Sequence, residues 1–267
     1  MVYLMKKGID ISSYNGSINM KKVKESGIEF IILRLGYGKY KSQIDTKFYE
    51  NYYKALELGI PIGIYLYSYA LNVDDAIMEA KLVINEINNL KIEYPIFLDM
   101  EDADGYKSRN KITNSTCIDI CETFCNFIEE QGYYVGIYAN LDWLNNRINN
   151  KRLDKFDKWV AQWNDNCSYN GNYGMWQYSS KGSILGISGP VDLNYSLRDY
   201  PTLIRNAKLN RLTCNKTIYM VQPGDTLTKI AQKYNTNWES IYKKNKNIIG
   251  TNPNIIKIGQ ELIIKEE

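Results

Sequence analysis

Along the first 150 residues, short apolar runs alternate with stretches whose apolar residues recur at helical spacing. The pairs run GIDIS then MKKVKESG, FIILRLGYG then DTKFYENYYKALELG, PIGIYLYSYA then VDDAIMEAKLVINEINNL, YPIFLDMED then STCIDICETFCNFIEEQG, and YYVGIYAN then the shorter LDWLNNRINN. Runs that are apolar almost throughout predict strands covered on both faces, as when helices pack over a parallel sheet. After residue 155 the helical periodicity fades, and three strand-like pieces, KWVAQW, YGMWQYS and GPVDLNYS, follow one another. Five β/α units ending in helix-poor strands predict an α/β domain over residues 1–200, its sheet closed into a barrel that lacks its last helices.

Residues 201–217, PTLIRNAKLNRLTCNKT, show no clear period and are expected to form a linker. A second unit starts at YMVQPGDTLTKIAQKYN, a short strand, a turn and an amphipathic helix; NWESIYKKNKNI supplies another helix and GQELIIK a closing strand. Residues 218–264 thus predict a small βααβ domain with Val221, Leu227, Ile230, Ile241, Ile258, Leu262 and Ile263 as its core.

Acids break into the fourth apolar run, PIFLDMED at 95–102. Side chains alternate along a strand, so Asp99 and Glu101 are expected on one side, about 6.5–7 Å apart at the backbone. Asp10 and Asp192 stand near other predicted strand ends. A lone strand-end Asp is most often a turn former or helix cap. Four acids at the ends of barrel strands can instead meet at one mouth, because the loops after the strands build the active site of such folds.

Composition narrows the chemistry. The 267 residues, 44% hydrophobic and 24% charged, are ordinary globular material with no apolar run near the ~18 residues of a membrane span. The chain contains no histidine, which excludes Ser-His-Asp and Cys-His hydrolases and His-ligated zinc and leaves carboxylates as the acid–base groups. Five cysteines, an odd number, argue against a closed disulfide framework, and Cys117, Cys121 and Cys125 at helical spacing read as core. No metal or cofactor is expected, and no glycine-rich nucleotide fingerprint follows any strand. Residues 216–267 hold eight Lys/Arg against five Asp/Glu and so carry the whole net charge of +3. So mild an excess suits an anionic surface such as a cell wall rather than nucleic acid, and no membrane insertion is expected. The start, MVYLMKKGIDISSYNG, lacks the apolar segment of a signal peptide, so synthesis in the cytoplasm without a secretory signal is expected.

Aromatic residues cluster near the same strand ends. Tyr37, Tyr67, Tyr138, Trp163 and Gln177 are candidate sugar-binding residues, since aromatic faces stack on sugar rings and amides bond their hydroxyls; Tyr65 is expected in the core. KGIDISSYNG, FIILRLGYG, GIYLYSYA, PIFLDMED, YYVGIYAN, WVAQW, MWQYS and VDLNYS together resemble the family 25 glycoside hydrolases, the phage and bacterial N-acetylmuramidases, over residues 6–198. That resemblance implies an incomplete TIM-like (β/α)5(β)3 barrel that cleaves the β-1,4 bond between N-acetylmuramic acid and N-acetylglucosamine, with Asp10, Asp99, Glu101 and Asp192 as its acids. The tail resembles a LysM module, which implies binding of N-acetylglucosamine-containing glycans; Gly224, Asp225 and Thr226 and the facing Asn254, Ile255 and Ile256 are its candidate contacts. Catalyst and wall-binding module together resemble a phage endolysin, with holin-dependent release implied, or a bacterial autolysin acting at the same wall.

Glycoside cleavage needs a proton for the leaving oxygen and stabilisation of an oxocarbenium-like centre. Glu101, beside other acids, is the expected donor, and Asp99 is expected to stay charged and either attack the sugar or orient its 2-acetamido group as nucleophile. A family 18 enzyme would need D-x-x-D-x-D-x-E, but Tyr94 and Phe97 stand where acids are required. A non-catalytic wall-binding protein would have no need of the intact acids.

Overall fold

The computed structural model describes residues 5–212 and 216–266, in two compact units divided between Leu212 and Thr213. In the first, strands β1 (Lys6–Ile11), β2 (Phe30–Tyr37), β3 (Ile62–Tyr67), β4 (Ile96–Asp99), β5 (Val135–Asn140), β6 (Asp157–Ala161), β7 (Met175–Gly182) and β8 (Val191–Ser196) close a barrel in chain order. Neighbours from β1 to β7 pair parallel, and β8 pairs antiparallel with both β7 and β1. The helices are α1 (Met20–Glu25), α2 (Phe48–Glu57), α3 (Val73–Ile87), the one-turn α4 (Tyr106–Arg109) and α5 (Asn114–Glu130). The fifth unit departs from expectation: LDWLNNRINN forms a π-helical turn, Trp143–Arg147, followed by a 3-10 turn at Lys151–Leu153.

Strand alternation splits the core in two. Outward Ile9, Ile11, Ile31, Leu33, Ile62, Ile64, Ile96 and Leu98 pack under the helices together with Cys117, Cys121 and Cys125 of α5; Cys214 lies outside the described residues. Inward positions hold large aromatics, Phe30, Tyr94, Phe97, Tyr138 and Trp159. Phe30 stacks on Tyr94 at 4.4 Å, and Trp159 lies 5.1 Å from Phe97 and 4.6 Å from Tyr138. These rings need room: a Cβ on Gly8 would stand 2.3 Å from the Phe30 ring. They fill the barrel interior.

The stretch expected as a linker from residue 201 belongs to this unit up to Leu212. Helix α6 (Tyr200–Asn206) drives Tyr200 and Ile204 into the aromatic interior, where Leu212 joins them. Asn210 is buried; its Nδ2 donates to the carbonyls of Ile92 (3.0 Å) and Tyr94 (3.2 Å), its Oδ1 accepts from Tyr134 N–H (2.7 Å), and its own N–H donates to Gly132 O (2.9 Å). A seven-residue helix with two apolar anchors is too short to show a period, which is why the pattern misses it. Residues 213–215 of the expected linker lie outside the described residues.

The second unit pairs β9 (Lys216–Met220) antiparallel with β10 (Glu261–Glu266), with α7 (Leu227–Lys233) and α8 (Trp238–Ile249) between them. Its core is Val221, Leu227, Ile230, Ala231, Ile241, Leu262 and Ile264. Ile258, expected inside, is 70% exposed. Alternation on β10 buries Leu262 and Ile264 and leaves Ile263 half-buried. Buried Asn245 of α8 donates to Ile263 O (2.8 Å) and accepts Ile263 N–H (2.9 Å), tying helix to strand. Among the described residues no helix is long and apolar enough to cross a membrane.

Candidate active site

At the carboxyl ends of the parallel strands, Asp10, Asp99, Glu101 and Asp192 line one pocket of about 330 Å³. Asp10 and Asp192 are register partners across the β1–β8 pair, which brings their carboxyls together. Asp10 Oδ2 accepts from Gln177 Nε2 (3.0 Å) and Asn194 Nδ2 (2.7 Å), and Asn194 is held in turn by Trp159 Nε1 (2.8 Å). Burial and the nearby Asp192 push the Asp10 carboxyl up to about 7 against the pull of the two amides. Burial raises Asp192 to about 6.

Strand β4 ends at Asp99, so Glu101 stands on the turn beyond it rather than in the strand, yet both carboxyls reach the same pocket. Asp99 is 4% exposed, and its Oδ1 is buried without a hydrogen-bond partner among the described residues. Its carboxyl is raised well above the ordinary range by burial and then by Glu101, with Lys107 and Arg34 opposing. Glu101, half-buried, is raised by burial, with Lys107 opposing and Asp192 and Asp104 adding. The sequence alone suggests that Asp99 stays charged; its burial works against that charge, and Lys107 and Arg34 work for it. Asp102, the remaining acid of PIFLDMED, faces away from this work and anchors α4, accepting the N–H groups of Lys107 (2.6 Å) and Ser108 (2.9 Å).

The pocket walls are aromatic: Tyr65, Tyr138, Trp159 and Trp163, with Gln177 and Ser180. Gln177 is occupied by the protein. Its Oε1 accepts from Tyr138 OH and from Trp163 Nε1, each at 3.1 Å, and its Nε2 donates to Asp10. It thereby holds an indole that is 64% exposed, a platform on which a sugar can stack. Tyr67 stands beside the pocket, its hydroxyl accepting Ala103 N–H at 3.1 Å, and burial with Glu101 and Asp99 nearby pushes its phenol up. Tyr37 is on the rim, 41% exposed and edge-on to Tyr69 at 5.7 Å, outside the pocket lining.

Tyr65, expected in the core, does pack against the aromatic interior, 6.0 Å from Trp159, and it also lines the pocket, facing Asp10 and Asp99. Trp159 and Asn194 also escape the sequence reading, although each carries a usable signal: Asn194 lies two residues past Asp192 on one strand face, and Trp159 alternates toward Trp163 in KWVAQW.

In the small unit Asp225 accepts from Tyr219 OH (2.8 Å) and Gln222 N–H (2.7 Å), and Thr226 caps α7 through Lys229 N–H (3.2 Å). Gly224 has φ +83°, the left-handed turn its place requires. Asn254 N–H donates to Asn252 Oδ1 (3.0 Å), Ile255 is exposed, and Ile256 packs on the small core. Val221 N–H donates to Gln260 O, and Val221 O accepts from Gly259 N–H, each at 2.9 Å, so the end of that loop runs beside the strand leading into the Gly224 turn.

A closed barrel with four carboxyls gathered at the mouth of an aromatic-walled pocket is the site of a carboxylate glycosidase. The sequence model of the glycosyl hydrolases family 25 matches residues 9–187, and the chain belongs to that family; the LysM domain model matches residues 219–265. Over 189 residues the chain is 29% identical to the autolytic lysozyme of Clostridium acetobutylicum, covering 70% of this chain and 55% of that one. The modular autolysin LytC of Streptococcus pneumoniae, solved with a synthetic peptidoglycan ligand, superposes with a TM-score of 0.65 at 32% identity, over 72% of this chain and 46% of that one. The catalytic domain of endolysin ply40, from bacteriophage P40 of Listeria monocytogenes, gives 0.61 at 26% identity, over 76% of this chain and 98% of that one. The chain thus spans about half the length of the lysozyme and the autolysin it matches.

Proposed function

We propose that the chain is an N-acetylmuramidase, hydrolysing the β-1,4 bond between N-acetylmuramic acid and N-acetylglucosamine in peptidoglycan, with the small unit holding it on the wall glycan. The observation that carries this reading is the gathering of Asp10, Asp99, Glu101 and Asp192 in one aromatic-walled pocket. Relatives named as lysozymes and autolysins, and the LytC complex with a peptidoglycan ligand, support the choice of substrate.

Glu101, half-buried among acids and so shifted toward its neutral form, gives its proton to the leaving oxygen. Asp99 offers the pocket a buried oxygen with no hydrogen-bond partner among the described residues. An acetamido N–H of the substrate satisfies that oxygen and favours the charged carboxylate. The acetamido carbonyl oxygen then bonds to C1 as the C1–O bond breaks, and water opens the resulting ring while Glu101 takes back a proton. Direct attack by Asp99 is the alternative route, and the unpartnered Oδ1 serves either. Asp10 and Asp192 set the charge opposite Asp99, and Gln177 and Asn194 hold Asp10 in place.

In the small unit, main-chain groups of Gly224, Asp225 and Thr226 and of Asn254, Ile255 and Ile256 are proposed to meet acetamido groups; the N–H groups of Asp225, Asn254 and Ile255 are held by Gln222 O, Asn252 Oδ1 and Asn252 O, so those three residues would offer their carbonyl oxygens, while the Asp225 and Thr226 side chains shape the turn. Endolysin and autolysin relatives both match, so the reading takes in both; the endolysin case adds holin-dependent release from a host cytoplasm, which lysis on co-expression with and without a holin tests. Loss of turbidity of purified peptidoglycan, with new reducing ends identified as muramic acid, is the test of the activity. Glucosamine ends would point to a family 18-like specificity, and binding without new ends to a non-catalytic wall protein.

A further inference from the structure

Beneath the turn that carries Glu101 lies a lysine for which the proposed chemistry has no use. Lys107 of α4 is 1% exposed. Its Nζ donates to the main-chain oxygen of Ser68, just past β3, and to that of Glu101 at 2.9 Å. Ser68 is itself tied into the site: its N–H donates to Asp99 O (3.0 Å), and its hydroxyl donates to Glu79 Oε2 (2.8 Å), buried on α3. The ammonium thus bridges two strand ends that meet at the acid pair.

Burying an ammonium is costly, and an apolar side chain of similar length would fill the same space at lower cost. The groups facing it suggest what the charge does. Glu79 of α3, Tyr67 of β3, Asp99 of β4, Glu101 and Asp102 of the turn, and Cys117 and Cys121 of α5 all lie within its field. Asp99 also faces Asp10, Arg34, Tyr65 and Tyr138, and Glu101 faces Asp192 and Asp104. Burial pushes Asp99 and Glu101 toward the neutral form, and Lys107 opposes it at both.

We propose that Lys107 is a positioning residue for the acid pair, fixing the Glu101 main chain and setting a positive charge opposite the buried Asp99 carboxyl. The proposal rests on the muramidase reading of the site. Its test is the pH profile of wall lysis by Lys107→Met, Lys107→Arg and the double variant Lys107→Met/Glu79→Gln, which removes both buried charges so that the fold tolerates the loss. Without the cation both carboxyls become harder to ionise. The acid limb, which needs Asp99 charged, and the alkaline limb, which needs Glu101 protonated, should therefore both move to higher pH by about one unit. The maximum rate should fall roughly tenfold. Lys107→Arg should return the limbs to their wild-type positions even where its rate stays low. A folded Met variant, single or double, whose profile superimposes on that of the wild type would overturn the proposal, as would an Arg variant displaced as far as Met. Failure of both Met variants to fold would assign Lys107 to folding alone and overturn it too. An inactive wild-type protein would instead overturn the muramidase reading, so the two failures are distinguishable.

Discussion

Asp10 shows how the fold holds a carboxyl that it also destabilises. One of its oxygens accepts two amide hydrogen bonds, and the group faces Asp192 across the β1–β8 pair. Burial raises it to about 7, whereas the unfolded chain ionises it near 3.8. The stability it lends is therefore full below about pH 4 and is lost as pH rises toward 7. Asp10→Asn can keep both hydrogen bonds through its carbonyl oxygen and turn its amide toward Asp192, so it should melt higher than wild type at pH 7.5, by roughly 3–8 °C, with the gap closing below pH 4. Wall lysis should fall all the same. Melting curves across pH check this; a gap that does not change with pH would mean that the proton held by Asp10 is not its cause. The four acids are legible in the sequence because strand ends with inward-facing carboxylates stand out against apolar runs. Asn194 and Trp159 carry only the weaker signal of sharing a strand face with Asp192 and Trp163, since an Asn on a strand resembles a turn former, and large aromatics such as Trp159 and Tyr65 resemble core until the barrel's curvature is known. Gln177 is visible as a polar residue among aromatics, but that Tyr138, Trp163 and Asp10 occupy it depends on three separate strands meeting.

Among the elements, the first four β/α pairs, β5 and the closing strands follow from hydrophobic period, because β2 to β6 are buried almost throughout and each long helix has one apolar face. The irregular pieces do not. The turn at Trp143–Arg147 is π-helical where a short α-helix is expected, and α6 hides in the stretch expected as linker. Asn210 explains why that stretch is structural: it joins Ile92 and Tyr94, ahead of β4, to Gly132 and Tyr134, ahead of β5. The two bonds from Nδ2 are buried and the one to Oδ1 is part-buried, and removing the side chain takes a partner from three main-chain groups. Asn210→Ala should cost roughly 2–4 kcal/mol and lower the melting temperature by about 5–10 °C. Truncation at residue 205 should be at least as damaging, because it also removes Leu212 from the barrel interior. Calorimetry of these forms beside one ending just past Leu212 checks the assignment, and a 205-residue form as stable as the longer one would contradict it.

At the scale of the molecule, two units with separate cores predict separable tasks. The form ending past Leu212 should fold and cleave a short soluble muropeptide nearly as well as the full chain, while its lysis of intact walls should drop several-fold for want of local concentration. Residues 216–267 alone should sediment with purified walls. Equal wall lysis by both forms, with no sedimentation of the tail, would refute the division of labour. The two-unit plan is legible in the sequence from the change of period near residue 218; the boundary at 212 is not, since it depends on what α6 and Asn210 touch. In the proposed reaction Glu101 protonates a muramyl glycosidic bond. Its most direct test is mass spectrometry of the products from defined peptidoglycan, with wild-type enzyme beside Glu101→Gln and Asp99→Asn, each shown to be folded. New reducing ends on N-acetylmuramic acid are expected with the wild type, their formation slowed 10²-fold or more by Glu101→Gln and at least tenfold by Asp99→Asn. Reducing ends on N-acetylglucosamine, or wild-type rates from folded Glu101→Gln, would contradict it.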